Sequence, residues 1–545
     1  MYLTTADLIV VAIYAVSLFS IAWWVSREPP GHSKNTQDYF LAGKALPWWA
    51  IGASLIAANI SAEQIIGMTG DGYRIGLAIA AYEWQAALVL IIVATFFLPI
   101  FLKREIYTMP QFLEQRFGNK VKVTMSIYWL ALYTFVNLAT VLWLGSLAVN
   151  SLTGIPYFWG MASLGTFAYA YSVYGGLKAV ALTDIIQVVL LISGGFFIAY
   201  LTLEMIGGES GVLGGFGRLV TELPERFEMI LDPGDNGYDA LPGIWTLLGG
   251  MWILHFSYWG FNQYIIQRAL GAKDLAEAQK GLVFAAFLKM LTPLVVVLPG
   301  IAAVMLSSPG LDNVIDPALL DASICSNPAD PDTCGKSDRA YPTVMKLLPS
   351  GIRGLIFAAL IAAIVSSLAS MMNSIATIFT MDVYEDLRPG RPETQYVAVG
   401  RLTALVAGLI ALFVAQPLLG NLESAFQFIQ KYTGFIAPGI VAVFLLGMFW
   451  KRATEYGALA AILGSLAFSI LLDQVMPSDF PFVINIVIVF AACILTGVLI
   501  SVVTPEPAAD QPVNLEGIDF STTTAFKISA LIVVLVLAAI YAAYW

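Results

Sequence analysis

Charge is what this chain has least of. Asp, Glu, Lys and Arg make up 12% of its 545 residues, about half the ~25% that an ordinary soluble domain uses. With 59% hydrophobic residues and a mean hydropathy of +0.79, a soluble fold of this size has too little charge to cover its surface. Apolar runs of about 20 residues match a hydrocarbon core roughly 30 Å thick, which points to an all-α polytopic membrane protein. The net charge of -10 sits mostly in loops and tails and argues against nucleic acid as a partner. Cysteine is scarce as well, with three in all. Cys493 falls in an apolar run and is expected to pack there. Cys325 and Cys334 share one polar loop, where they form either a disulfide, if that loop faces an oxidising compartment, or two free thiols. No signal peptide precedes the first apolar run, so that run is expected to remain as an anchor. With no HExxH and no nucleophile beside a base, the chain does not read as an enzyme.

The apolar runs predict fourteen spans, near 6–26, 47–68, 78–102, 123–152, 156–173, 180–206, 243–267, 281–306, 351–381, 397–419, 424–449, 454–474, 481–503 and 525–545. Lys and Arg concentrate in the odd-numbered loops: Arg27, Lys34 and Lys44 in the first, Lys103, Arg104, Arg116, Lys120 and Lys122 in the third. By the positive-inside rule those loops are cytoplasmic, and both termini and the long loops 207–242 and 307–350 lie outside. The loop 504–524, acidic and without Lys or Arg, fits this least well.

One span is unlike the rest. The run from Pro47 to Met68 carries Asn59, Ser61, Glu63 and Gln64 at its centre. A polar or ionisable residue there costs roughly 2.5–3.5 kcal/mol and needs a partner. Bare backbone at that depth survives only inside protein or along a cavity. The segment reads as a broken helix at a binding site. Spans two to six (47–206) and seven to eleven (243–449) then form two groups of five, and an odd repeat length inverts the second group relative to the first. Such transporters carry interrupted helices at matching positions. The match to the second span is the seventh, with Gly249, Gly250, His255, Tyr258 and Trp259. The helix and loop of 1–46 would precede the repeats, and 450–545, with three helices, would follow them.

Other polar groups at membrane depth are Tyr82 and Glu83, Asn137, Asn262 and Gln263, Lys289, Gln427, Gln430 and Thr433. For any isolated one, a structural hydrogen bond between helices is the ordinary reading. Lys289 lies too deep to reach water and calls for a carboxylate, Glu83 or Glu63. An inventory of amides, carboxylates and aromatics with one ammonium suits a neutral polyhydroxylated ligand stacked on an aromatic ring, with Tyr258 the candidate. Ala363, Ser366 and Ser367 in the ninth span bring hard oxygen donors to one level. With the carbonyls of Ala57 and Ile60 they suit a small hard cation, although serines in membrane helices commonly bond back to their own backbone.

The stretches LIAANISAEQIIGM, AYEWQ, YSVYGGLKAVALTDIIQ, YWGFNQYIIQR, FAAFLK, AAIVSSLAS, FQFIQKYTG and LGMFWKRATEYGALAAI together resemble the sodium:solute symporter family, nearest to its bacterial sodium/galactose members. The resemblance runs from the first span to the last. It implies a LeuT-like inverted repeat of five plus five helices, with one helix before and three after, in the cell membrane. It implies sodium as the co-transported ion and a sugar as substrate, carried by alternating access. It places Gln64, Glu83, Lys289 and Gln430 against the sugar, with His255 at a further sugar position. Tyr258 stacks on the sugar from the cytoplasmic side beside Trp259. Met68, Tyr82 and Phe426 match the outer gate, and Asn59 the partner of the Tyr258 hydroxyl. Glu63, Asn137 and Thr433 match the network bracing the gate. Ala57, Ile60, Ala363, Ser366 and Ser367 match the sodium site, and Asp184 an acid on the sodium exit route. Three positions depart from the galactose pattern: Ala86 replaces a Ser, His255 an Asn and Ser257 a Tyr. The expected activity is therefore sodium-driven uptake of a hexose. Another solute, such as myo-inositol, a sialic acid or an amino acid, stays open, as does a sensor that binds sugar without moving it.

Overall fold

The computed structural model describes residues 3–25, 46–106, 108–311, 314–321, 323–324, 335–422, 424–477, 479–508, 513 and 515–545, and omits the side chains of 18, 19, 22–25, 171 and 173–184. Cys325 and Cys334 lie outside the described residues, and so does the Asp184 side chain. The described chain is helical, with one isolated bridge between Leu46 and Ala272. Ten described helices are long and apolar enough to cross a membrane, and one bent pair makes an eleventh span. Three further expected spans fall short of that measure, each for its own reason. The first, Thr5–Val25, is only partly described. The seventh is broken into short pieces. The fifth runs on into the sixth through 173–184, whose side chains are not described, so its described part is too short to count.

That last point corrects the expected boundary. Helical bonding is unbroken over 51 residues from Tyr157 to Gly207, where a gap at 174–179 was expected. The stretch holds glycines but no proline, and a glycine weakens a helix by only ~1 kcal/mol without breaking it. At 1.5 Å per residue its path measures roughly 75 Å, longer than one crossing needs. The junction before it is sharp. Gly154 adopts the left-handed conformation (φ 78°) and its N–H donates to the Asn150 carbonyl, and the next helix starts after Pro156.

The second span is broken where the sequence places its polar cluster. The helix Trp48–Asn59 ends as Ile60 turns extended (φ -73°, ψ 91°) while its N–H still reaches the Ile56 carbonyl. The outer half resumes as a π turn, Glu63–Gly67, and the helix Met68–Arg74. The two halves bend by 61°. Asn and Ser side chains compete for backbone partners and so weaken a helix at this point. Both halves lie against one long helix, Leu275–Leu306, through glycines that let backbones close. A Cβ on Gly52 would meet the Gly281 carbonyl at 2.7 Å, and one on Gly72 the Val297 carbonyl at 2.7 Å. Small residues at such contacts take the place that the hydrophobic effect holds in water. The Thr69 hydroxyl, 2.7 Å from the Val296 carbonyl, adds a polar tie.

The seventh span is broken too. It runs as Ile244–Leu248, Gly250–His255, a π turn at Phe256–Gly260 and Gln263–Leu270. Asn262 caps the last piece, its side chain accepting from the Tyr264 N–H. π turns concentrate at functional sites, and here both interrupted spans carry one.

Candidate functional site

The two breaks face each other across one cavity. It is partly open to solvent, and the space between its walls, open part included, comes to about 630 Å³. Its walls bring together every expected sugar position, Gln64, Glu83, His255, Tyr258, Lys289 and Gln430. Of the expected gate residues, Asn59, Glu63, Tyr82, Asn137, Trp259, Phe426 and Thr433 also line it. Met68 does not. It is fully buried, while the Tyr82 and Phe426 rings meet edge to face at 5.0 Å.

Lys289 organises the polar half. Its Nζ lies 2.5 Å from Glu83 Oε2, donates to Asn59 Oδ1 and sits 4.9 Å above the Trp259 ring. Glu83, not Glu63, is the carboxylate that Lys289 called for. Asn59 passes the chain on, its Nδ2 donating to the Tyr258 hydroxyl at 3.2 Å. That hydroxyl lies 2.6 Å from the hydroxyl of Tyr264. One hydrogen-bonded line thus runs from the third span through the eighth and the break in the second to the aromatic floor. The Asn59–Tyr258 contact is the one the resemblance implied.

Facing that line are polar atoms with no protein partner: Glu63 Oε2, Gln64 Oε1, Tyr82 Oη, Asn137 Oδ1, His255 Nε2 and Thr433 Oγ1. More than nine in ten buried polar groups in native structures are bonded. Six unmet ones around a single cavity are what a ligand rich in hydroxyls, each both donor and acceptor, would satisfy.

The expected sodium residues fall on two packed elements. Ala57 and Ile60 sit at the end of Trp48–Asn59, where the last carbonyls of a helix lack intrahelical donors. Ala363, Ser366 and Ser367 lie on Ile352–Thr377, which packs on that helix. Thr377 in the same helix bonds back to Asn373, and Ser126 to Lys122, the ordinary fate of a membrane hydroxyl. Ser367 Oγ does not. It is buried with no partner.

Sequence reasoning missed Leu132, Leu254 and Ile429, which line the cavity but are indistinguishable from lipid-facing residues in an apolar run. It also missed Tyr264. The signal for that residue was Asn262, a helix cap at membrane depth that starts a new helix two residues before it. Outside the cavity, Asp71 Oδ2 accepts from Gln427 Nε2 at 2.7 Å, and Asp338 Oδ2 accepts from the Ala425 N–H at 3.0 Å. These bonds fasten the 307–350 loop and the outer half of the second span to the start of the eleventh.

Two interrupted helices enclosing a polar cavity at mid-span define a secondary transporter of the inverted-repeat class. The sequence profile of the sodium:solute symporter family matches residues 39–464, and the chain belongs to that family. It is 48% identical to a sodium/glucose cotransporter of Vibrio parahaemolyticus, over 100% of this chain and 99% of that one. It is 32% identical to the mouse sodium/myo-inositol cotransporter 2, over 93% and 77%. Among solved structures, a substrate-bound, outward-open sodium-coupled sialic acid symporter superposes with a TM-score of 0.77 at 22% identity, covering 92% of this chain and 99% of that one. The closed form of Mhp1, a nucleobase-cation symporter, gives 0.53 at 12% identity, covering 88% and 98%. The fold is that of the LeuT-like sodium symporters, and the co-transported ion is sodium.

Proposed function

We propose that the protein is a sodium-coupled symporter of a hexose, working by alternating access in the cell membrane with both termini outside and the repeats at 47–206 and 243–449. The observation that carries this reading is the break at Ile60. It lies between a cavity of unmet hydrogen-bonding groups and a helix whose Ser367 hydroxyl is buried without a partner. The 48% identity to a sodium/glucose cotransporter along the whole chain supports the substrate class.

Sodium held by the carbonyls of Ala57, Ile60 and Ala363 and the hydroxyls of Ser366 and Ser367 would tie the second span to the ninth. That tie fixes Asn59, Glu63 and Gln64 where they meet the sugar. Gln64, Glu83, His255, Lys289 and Gln430 bond its hydroxyls, and the Tyr258 ring covers it from the cytoplasmic side. Met68, Tyr82 and Phe426 close the outer side, braced by Glu63, Asn137 and Thr433. Sodium leaving past Asp184 frees the second span, and loss of the Asn59–Tyr258 bond lets Tyr258 swing aside. Coupling is a difference in affinity between the two states.

The test is a solute panel in proteoliposomes: hexoses, myo-inositol, a sialic acid and an amino acid, each with sodium or choline outside. A hexose accumulated only under an inward sodium gradient is expected. Equal hexose uptake in the two salts would end the sodium-coupled reading, and sodium-driven uptake of myo-inositol or sialic acid alone would replace the hexose.

A further inference from the structure

We propose that Tyr264 is a second holder of the inner gate, its hydroxyl keeping the Tyr258 ring in place by a bond separate from that of Asn59. Loss of the Asn59 bond alone then leaves the gate half fastened. This rests on the reading of Tyr258 as the cover on the cytoplasmic side and deepens it. Tyr264 is 1% exposed and is not among the residues that line the cavity. It therefore acts on a solute only through Tyr258, as a positioning residue. Its hydroxyl lies 2.6 Å from that of Tyr258, and the two rings meet edge to face at 5.9 Å. The bond crosses the break in the seventh span, since Tyr258 belongs to the π turn Phe256–Gly260 and Tyr264 to the helix Gln263–Leu270.

The Tyr258 oxygen can serve both partners at once. Lys289 has only protons to give, so the Asn59 carbonyl oxygen faces it, and Asn59 Nδ2 is left to donate to Tyr258 at 3.2 Å. A phenol has one proton and two lone pairs. After accepting from Asn59 it still gives a proton to Tyr264 or takes one from it. The two holds stand on different footings. Asn59 is the last residue of Trp48–Asn59, at the break that sodium would tie. Tyr264 is fixed by Asn262, whose Oδ1 accepts from the Tyr264 N–H at 3.2 Å and from the Tyr133 hydroxyl of the fourth span at 2.7 Å. The Tyr133 and Tyr264 rings meet edge to face at 5.8 Å. Arg268 donates to the Tyr264 carbonyl while reaching Ser54 Oγ at 2.9 Å and Ser370 Oγ at 3.2 Å. None of these ties passes through Asn59. When the Asn59 bond is lost, inner opening still waits on a second bond within the seventh span.

The test is thiol labelling of the full-length protein in oriented proteoliposomes without solute. A membrane-impermeant maleimide is applied from the cytoplasmic side, in sodium and in choline, to a chain carrying Ile429→Cys in the cavity wall. Labelling at that residue is followed by peptide mass spectrometry. Tyr264→Phe keeps the ring and removes the hydroxyl. It should speed labelling about fivefold in both salts, the loss of one hydrogen bond. Asn59→Ala should speed labelling in sodium, and adding Tyr264→Phe to it should speed labelling again by a similar factor. A role confined to packing would lower the melting temperature and leave the labelling rate where it was. The inference is overturned if Tyr264→Phe leaves the rate unchanged in both salts, or if it adds nothing to Asn59→Ala. Should Tyr264→Phe fail to fold, Tyr258→Phe removes both bonds in its place. Labelling faster than in Asn59→Ala then supports the second hold, and labelling no faster overturns it. If Tyr258→Phe itself leaves the rate unchanged, the reading of Tyr258 as the inner gate has failed, and the inference falls with it. If Tyr258→Phe and Asn59→Ala speed labelling while Tyr264→Phe does not, only the role of Tyr264 has failed.

Discussion

At the scale of single residues, the Lys289–Glu83 pair is the most consequential contact in the cavity. Both side chains are almost fully buried, at 1% and 2% exposure. Removing one partner of such a pair leaves an uncompensated charge and costs about 3–5 kcal/mol. Glu83→Gln should therefore lower the melting temperature more than the double exchange Glu83→Gln with Lys289→Met, while both abolish sugar binding. A double variant less stable than the single would contradict the pairing. Two further exchanges separate the ligands. Ser367→Ala should raise the sodium concentration for half-maximal uptake about tenfold, with sugar affinity restored at saturating sodium. Gln64→Ala should weaken sugar affinity by a similar factor even in saturating sodium. The reverse pattern would show that the two sites are wrongly assigned. The sequence made Lys289 readable because a lysine deep in an apolar run has few ways to be satisfied. It left Glu63 and Glu83 as equal claimants, since both line the same cavity and only the folded geometry shows that the ammonium meets Glu83.

At the scale of elements, closure on the side of the 307–350 loop depends on how closely the outer half of the second span approaches the eleventh. A Cβ on Gly67 would stand 2.8 Å from the Cβ of Phe426, so Gly67→Ala must push the two elements apart, at ~1–3 kcal/mol if they stay closed. The expected outcome is a shift toward the outward-open form, read as faster thiol labelling at Tyr82→Cys from outside. Unchanged labelling would place the gate elsewhere. The same closure carries a pH signature. Asp338 is 2% exposed, and burial first, then the nearby Asp71, pushes its carboxyl well above the usual carboxylate range. The Ala425 N–H, Arg74 and Lys336 oppose this. The folded state therefore holds the proton more tightly than the unfolded chain does. Its contribution to stability falls as pH rises through the ordinary carboxylate pKa toward the higher folded value. Asp338→Asn should flatten that fall, so the variant's melting temperature should gain on the wild type between pH 5 and pH 8. A constant difference would contradict the buried, protonated state. None of this was legible in advance, because the loop's polar sequence says nothing of where it docks.

At the scale of the whole molecule, two polar interruptions one five-span group apart suggested an inverted repeat from sequence, because apolar periodicity and charge in membrane loops survive there. The boundary between the fifth and sixth spans was not readable, since glycines within a continuous helix look like a turn. The shape of the cavity was hidden for a related reason: lining residues such as Leu254 differ from lipid-facing ones only by position. What the assembled fold adds is the placing of the break at Ile60 between the polar cavity, lined by Asn59, Glu63 and Gln64, and the helix Ile352–Thr377, which packs on Trp48–Asn59. Because a coupling free energy is reciprocal, the decisive measurement is a pair of binding titrations on the same protein. Sugar affinity is measured in sodium and in choline, and sodium affinity with and without saturating sugar. The account predicts that each ligand tightens the other by the same factor, and that Ser367→Ala removes both effects together. Sugar binding of equal affinity in sodium and choline would contradict it.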